Sequence, residues 1–209
     1  MTSANNPQHL DILQDAQHRA GVYHLLARLW IQEIDRDLLD QLQHDAFGQA
    51  YRAAGGSLPP LKVSEQFIED LQLDYCRLFL GPQGHKPPVQ SIWQEGHFEG
   101  AAAAALARTV NDLGLESALN ASLPHDHIGN ILALYGSLLA AMETHQPPPD
   151  AELCNLAVAL FREHLTWIPE FAQAAAQRCE TEFYRGCLSV TQRFLTLESS
   201  LLLTTPLAS

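Results

Sequence analysis

Lysine is nearly missing from this chain. Only Lys62 and Lys86 occur, and with Lys+Arg at 12 against Asp+Glu at 24 the formal net charge is −12. A phosphate backbone is held by clustered cations, so nucleic acid is excluded as a natural partner. An acidic surface instead concentrates cations, basic peptides among them, through a long-range attraction that salt weakens. Long apolar runs are missing too. The longest, residues 101–107, falls far short of the ~20 residues that span a bilayer. Residues 1–14 carry no Lys or Arg and no continuous apolar core, so the parts of a secretory signal are lacking. The expected address is cytoplasmic, without stable membrane insertion.

Paired cysteines are also absent. Cys76, Cys154, Cys179 and Cys187 form no CxxC, which removes the usual zinc-ribbon and thioredoxin signatures. In a cytoplasmic setting they are expected as free thiols packed like small hydrophobes. The chain holds no G-x-x-x-x-G-K-[ST] loop, no G-x-G-x-x-G turn and no G-x-S-x-G elbow, so neither phosphate binding nor a serine nucleophile has a signature. Phe161-Arg162-Glu163-His164 lacks HExxH spacing, and His164 reads as a satisfied histidine on a mostly apolar face.

Sustained strand alternation is nowhere found, whereas helical spacing recurs in almost every segment. With 46% hydrophobic and 17% charged residues over 209 positions, the composition is that of a folded chain long enough for one core. The expectation is an all-α fold: an irregular helical bundle forming a single domain over residues 1–209. Leu13, Ala16, Ala20, Tyr23, Leu26, Ala27 and Trp30 mark one face of a first helix over residues 10–31. Asp35 is positioned to cap a second, which runs through Leu38, Leu39, Leu42 and Phe47 to Gly55-Gly56. Ser64 is positioned to cap a third, whose Phe67, Leu71, Tyr75, Leu78 and Phe79 share a face before Gly81-Pro82.

The pattern then fails. Residues 81–97 contain Gly81, Pro82, Gly84, Pro87 and Pro88 without a period of either kind, which predicts a long ordered loop. Such loops within a compact domain are functional or disordered, and Phe79, Ile92, Trp93 and Phe98 make this one too apolar for disorder. A helix end presenting Tyr75 and Phe79, a proline-fixed loop and Trp93 read equally as a peptide groove and as a staple fastening the loop to the core.

Beyond it lie an alanine-rich helix over residues 98–115 and a helix beginning at Asp126. The stripe of the latter, Ile128, Ile131, Leu132, Tyr135, Leu138, Leu139 and Met142, is the cleanest in the chain and predicts the central core helix. Pro147-Pro148-Pro149 stiffens residues 144–150 into a strut or hinge between an N-terminal and a C-terminal helical part. His125-Asp126-His127 is the one dense cluster of metal-ligand types. It opens two readings: a small metal-dependent phosphohydrolase, or an Asp126 N-cap flanked by two partly exposed histidines.

Two blocks of this sequence carry a family resemblance. Tyr75, Leu78, Phe79, Gly81 and Pro82 match Y/W-x-x-L-F-x-G-P; Pro87, Pro88, Ser91, Ile92 and Trp93 match P-P-x-x-S-[VI]-[WY]; Pro124, Asp126 and His127 match E-P-x-D-H at a helix start. In these blocks the chain resembles the TorD/DmsD family of chaperones for molybdenum-containing oxidoreductases, a group that embraces the more distant nitrate reductase chaperones. The resemblance implies a cytoplasmic protein, not an enzyme. It would bind the twin-arginine signal peptide, the apo form, or both, of a partner such as a trimethylamine N-oxide or dimethyl sulfoxide reductase, and hold it back from export until the molybdopterin is loaded. It implies a peptide-binding set of Tyr75, Leu78, Phe79, Pro88, Trp93, Pro124, Asp126 and His127, with Asp126 meeting the arginines and the aromatic segment meeting the apolar stretch. No cofactor of its own is implied, although some relatives are associated with a guanine nucleotide, for which no motif exists here. The chain has no Arg-Arg pair and so looks like the reader of such a signal. Leu123 stands where the family usually has Glu, and Val89 where some relatives carry Trp.

Overall fold

The computed structural model describes residues 15–44, 46–60, 62–81, 85–144 and 151–203. Its helices are α1 (Ala16–Ile31), α2 (Arg36–His44), α3 (Ala46–Ala53), α4 (Glu65–Tyr75), α5 (Gln90–Glu95), α6 (Ala101–Leu113), α7 (Ile128–Thr144), α8 (Ala151–His164), α9 (Ile168–Ala176) and α10 (Glu182–Leu203). A π turn, Cys76–Leu80, continues α4, and a short 3-10 turn, Glu116–Ala118, follows α6. No strand occurs among the described residues; the one extended pairing is an isolated antiparallel bridge between Val89 and His127. The all-α expectation holds.

The core is built around α1 and α7, which pack along each other more extensively than any other pair of helices. Two glycines on α7 explain the close approach. A Cβ on Gly129 would lie 2.6 Å from Ile31 Cγ1, and one on Gly136 would lie 3.0 Å from Tyr23 Cβ. Helix α7 is apolar well beyond one stripe, and every residue from Asp126 to Gly136 is buried, as expected of a helix enclosed on all sides. Helix α10 closes the bundle against α8 and α9. Its Glu198 receives Arg19 of α1 in a two-pronged ion pair, at 2.8 and 2.7 Å, and the Tyr23 hydroxyl at 2.9 Å.

Local caps follow the sequence. Asp35 Oδ1 accepts the Leu38 amide at 2.9 Å, and Ser64 Oγ accepts the Phe67 amide at 3.1 Å. Each satisfies a first-turn N–H that the helix cannot satisfy itself. The expected second helix is described as α2 and α3, on either side of Asp45, which lies outside the described residues. One expectation needs correction. The segment from 81 to 97 is not loop throughout, because α5 occupies its second half. Six residues give no readable period, and the carboxylate that caps α5 belongs to a distant segment. Residues 10–14 of the expected first helix, Pro82 and Gly84 of the expected loop, and residues 145–150 of the expected hinge lie outside the described residues.

Candidate peptide-binding site

The two motif blocks meet. At the Val89–His127 bridge, the Ile128 amide donates to Pro88 O at 2.8 Å and the Gln90 amide donates to Asp126 O at 3.0 Å. Beyond the main chain, the Ser91 amide donates to Asp126 Oδ2 at 2.8 Å. Ser91 lies in the first turn of α5, so Asp126 caps α5 and not its own helix. The expected N-cap role at α7 passes to His127, whose Nδ1 accepts the Gly129 amide at 3.1 Å. That contact leaves the neutral ring's proton on Nε2.

His127 is therefore buried, not partly exposed, while His125 is exposed as expected. Burial pushes the His127 imidazole down to about 4, against a smaller upward pull from Asp126. The three side chains of His125-Asp126-His127 take separate paths. Asp126 and His127 are engaged with backbone amides of different helices, and among the described residues no group of three or more His, Cys, Asp or Glu is placed to hold a metal ion. The phosphohydrolase reading has no geometric support.

Further side chains, none legible as a motif, hold this junction. Buried Gln90 donates to Glu163 O at 2.8 Å and to Gln94 Oε1 at 3.0 Å, and its own Oε1 lies 2.8 Å from His164 Nδ1. Since an amide oxygen only accepts, His164 carries its proton on Nδ1, and burial pushes its pKa down. Asn130, fully buried on α7, clamps the preceding loop: its Nδ2 donates to Asn120 O at 3.2 Å and Pro124 O at 2.9 Å, and its Oδ1 accepts the Asn120 amide at 2.8 Å. At the far end of α5, Glu95 accepts the Ala101 and Ala102 amides at 2.9 and 3.1 Å and so caps α6. Those two backbone bonds hold its carboxyl below the usual range. A carboxylate thus stands at each end of α5.

Tyr75, Leu78 and Phe79 lie in the core, each 6% exposed or less. The π turn accommodates Leu78 and Phe79, adjacent in sequence, both facing inward. Phe79 packs 5.3 Å from Trp30, 5.1 Å from Tyr75 and 6.4 Å from Phe171, measured between ring centroids, and Phe171 in turn meets Trp93 edge-on at 5.4 Å. As placed, Tyr75, Leu78 and Phe79 present no open face. They back the surface, and Trp93 is the half-buried end of the aromatic chain.

Two cavities, each of about 370 Å³, open here. One is lined by Trp93 with His85, Lys86, Pro87 and Ile92, and the Lys86 ammonium lies 4.5 Å from the Trp93 ring centroid. The other is lined by Pro124 and Asp126, together with Phe98, Glu99, Ala103, Leu123 and His125 among others. Of the eight expected residues, Trp93, Pro124 and Asp126 therefore border cavities. Pro88 and His127 are buried at the bridge, and the other three lie in the core. In the sequence Phe98 stood out only as an apolar neighbour of the expected loop, and Glu99, beside Gly100, carried no signal.

No helix among the described residues is long and apolar enough to cross a membrane. The family model for the nitrate reductase delta subunit matches residues 41–173. Curated relatives include the chaperone protein TorD of Vibrio vulnificus, 24% identical over 204 residues and covering 89% of this chain and 95% of the relative. The chaperone protein TorD of Shewanella oneidensis is 25% identical, covering 90% and 92%, and that of Escherichia coli is 25% identical, covering 81% and 88%. A solved structure from Archaeoglobus fulgidus, described as a candidate redox enzyme maturation protein, aligns over 94% of this chain and 97% of that one at 20% identity, with a TM-score of 0.49. The chain is a TorD-like member of the nitrate reductase delta subunit family.

Proposed function

We propose that this chain is a cytoplasmic maturation chaperone, without catalytic activity. It binds the twin-arginine signal peptide of a molybdenum-dependent oxidoreductase and retains the apo form until its cofactor is loaded. The observation that carries this reading is the bridge between Val89 and His127. It joins an acidic cavity with an apolar rim, bordered by Asp126, to an aromatic cavity bordered by Trp93. A twin-arginine peptide has the complementary order, cationic residues followed by an apolar stretch. The net charge of −12 favours its encounter from a distance. The relatives named as TorD chaperones support the class, and a trimethylamine N-oxide or dimethyl sulfoxide reductase is the client type in view.

In this reading Pro124 and Trp93 touch the peptide, Asp126 supplies negative charge, and Tyr75, Leu78 and Phe79 keep the wall rigid from behind. Pro88 and His127 hold the two segments in register. Titration of the folded protein with a fluorescent twin-arginine peptide tests this directly. Saturable binding that weakens with added salt, and weakens further when Lys-Lys replaces Arg-Arg, is expected. Absence of saturable binding at low salt would sink the reading.

A further inference from the structure

We infer that the cavity between residues 98–103 and 121–126 is a guanidinium seat, and that Glu99 is the side chain that makes the direct ionic contact. This rests on the peptide-binding reading and identifies the group recognised. The lining contains two carboxylates, Glu99 and Asp126, and neither lysine nor arginine. Asp126 is fully buried, and while its Oδ2 is engaged at Ser91, its Oδ1 has no hydrogen-bond partner. A buried carboxylate oxygen left without a partner keeps its desolvation cost, which a cation in the adjoining space would offset. Because Oδ1 is itself covered, Asp126 acts through the wall by charge, and contact falls to exposed Glu99.

Glu99 sits at φ 56, a left-handed backbone conformation that glycine adopts more cheaply, so its carboxylate stands in a place of backbone cost. The rest of the lining distinguishes a guanidinium from an ammonium. Phe98, 59% exposed, offers a ring face on which a planar, weakly hydrated cation stacks. Leu123 and Pro124 offer apolar surface to the methylene stem.

Nuclear magnetic resonance of the full chain tests the seat, using N-acetyl-argininamide, N-acetyl-lysinamide and neutral N-acetylcitrullinamide as probes beside the twin-arginine peptide. The arginine probe should give saturable amide shifts confined to residues 98–103 and 121–126, the lysine probe weaker ones, and the citrulline probe none. Glu99→Gln should weaken the arginine probe and the peptide roughly three- to tenfold, as loss of a charge-assisted contact at a partly open site does. Shifts elsewhere, an equal citrulline response, or a Glu99→Gln effect under about twofold would overturn the seat. Peptide binding that ignores Glu99→Gln removes the seat and leaves the peptide reading standing. An arginine response at the seat without peptide binding does the reverse.

Discussion

The carboxylate of Asp126 caps α5, accepting at 2.8 Å the amide of Ser91, 35 residues earlier in the chain. One residue thus closes α5, supports the main-chain bridge at Val89 and His127, and gives the acidic cavity part of its charge. In the proposed reading, binding and local folding are coupled through that side chain.

Asp126→Ala should cost about 1–2 kcal/mol of stability by removing the cap and a charge-assisted hydrogen bond. Amide hydrogen exchange at Ser91 should quicken more than exchange in α1. Asp126→Asn, which keeps an acceptor but no charge, should restore much of the protection and little of the peptide affinity. Equal protection in Asp126→Ala and wild type would show that α5 does not depend on this contact.

Phe79 and Phe98 should separate stability from binding. Phe79→Ala opens a cavity in the aromatic core and is expected to cost about 3–5 kcal/mol in chemical denaturation. Phe98→Ala removes an exposed ring and should change stability by no more than about 0.5 kcal/mol, yet weaken the peptide. If Phe98→Ala binds as wild type does, the exposed ring is not part of the site.

Acid should loosen the junction. The His127 imidazole is pushed down to about 4 by burial, against 6.5 ordinarily, so between those values the unfolded chain binds the proton and the folded chain does not. Stability contributed by the neutral ring is present above pH 6.5 and is lost as pH falls towards 4, by about 2 kcal/mol between pH 7 and 5. Burial pushes His164 in the same direction. His127→Asn keeps an acceptor for the Gly129 amide and does not titrate, so urea denaturation at the two pH values should show a smaller loss than wild type. An equal loss in the variant would place the acid sensitivity elsewhere.

Arg19→Ala should cost about 3–5 kcal/mol, because it leaves the Glu198 carboxylate, 4% exposed, without the guanidinium that pairs with it. The triple variant Arg19→Met, Tyr23→Phe, Glu198→Leu removes charge and hydroxyl together. It should recover most of that loss in thermal unfolding. A triple variant no more stable than Arg19→Ala would mean that packing, not charge, dominates there.

Asp74, itself fully buried, ties α4 to the residues just before α10 through part-buried contacts. Its carboxylate accepts the Glu180 amide at 3.1 Å, the Thr181 amide at 2.8 Å and the Thr181 hydroxyl at 2.6 Å. Asp74→Ala should therefore destabilise by about 2–4 kcal/mol, read from the denaturation midpoint, whereas substitution of neighbouring, exposed Leu73 should be nearly silent. Comparable losses at the two positions would contradict this.

What the sequence determined by itself is what short-range physics controls. Apolar spacing of 3.6 residues announced the helices of the bundle and picked α7 as its centre. Asp35 and Ser64 were legible as caps because each reaches an amide three residues on. The two motif blocks were legible as residue patterns, and the family resemblance they carry implied an acidic group beside an apolar wall.

What only the tertiary structure decided is which partner each group found across long separations. Asp126 was expected to cap its own helix with His127 partly exposed beside it, but the main chain of another segment is near enough to take the Asp126 carboxylate, which leaves the α7 cap to His127. Periodicity placed Tyr75, Leu78 and Phe79 on one helical face. It carries no information about whether that face meets solvent or Trp30 and Phe171, and the packing of α4 against the bundle settled it in favour of the core. Glu99 and Phe98 came into view the same way: Phe98 was legible only as an apolar neighbour of the expected loop and Glu99 not at all, and only the folding of residues 98–103 against 121–126 makes them walls of one cavity.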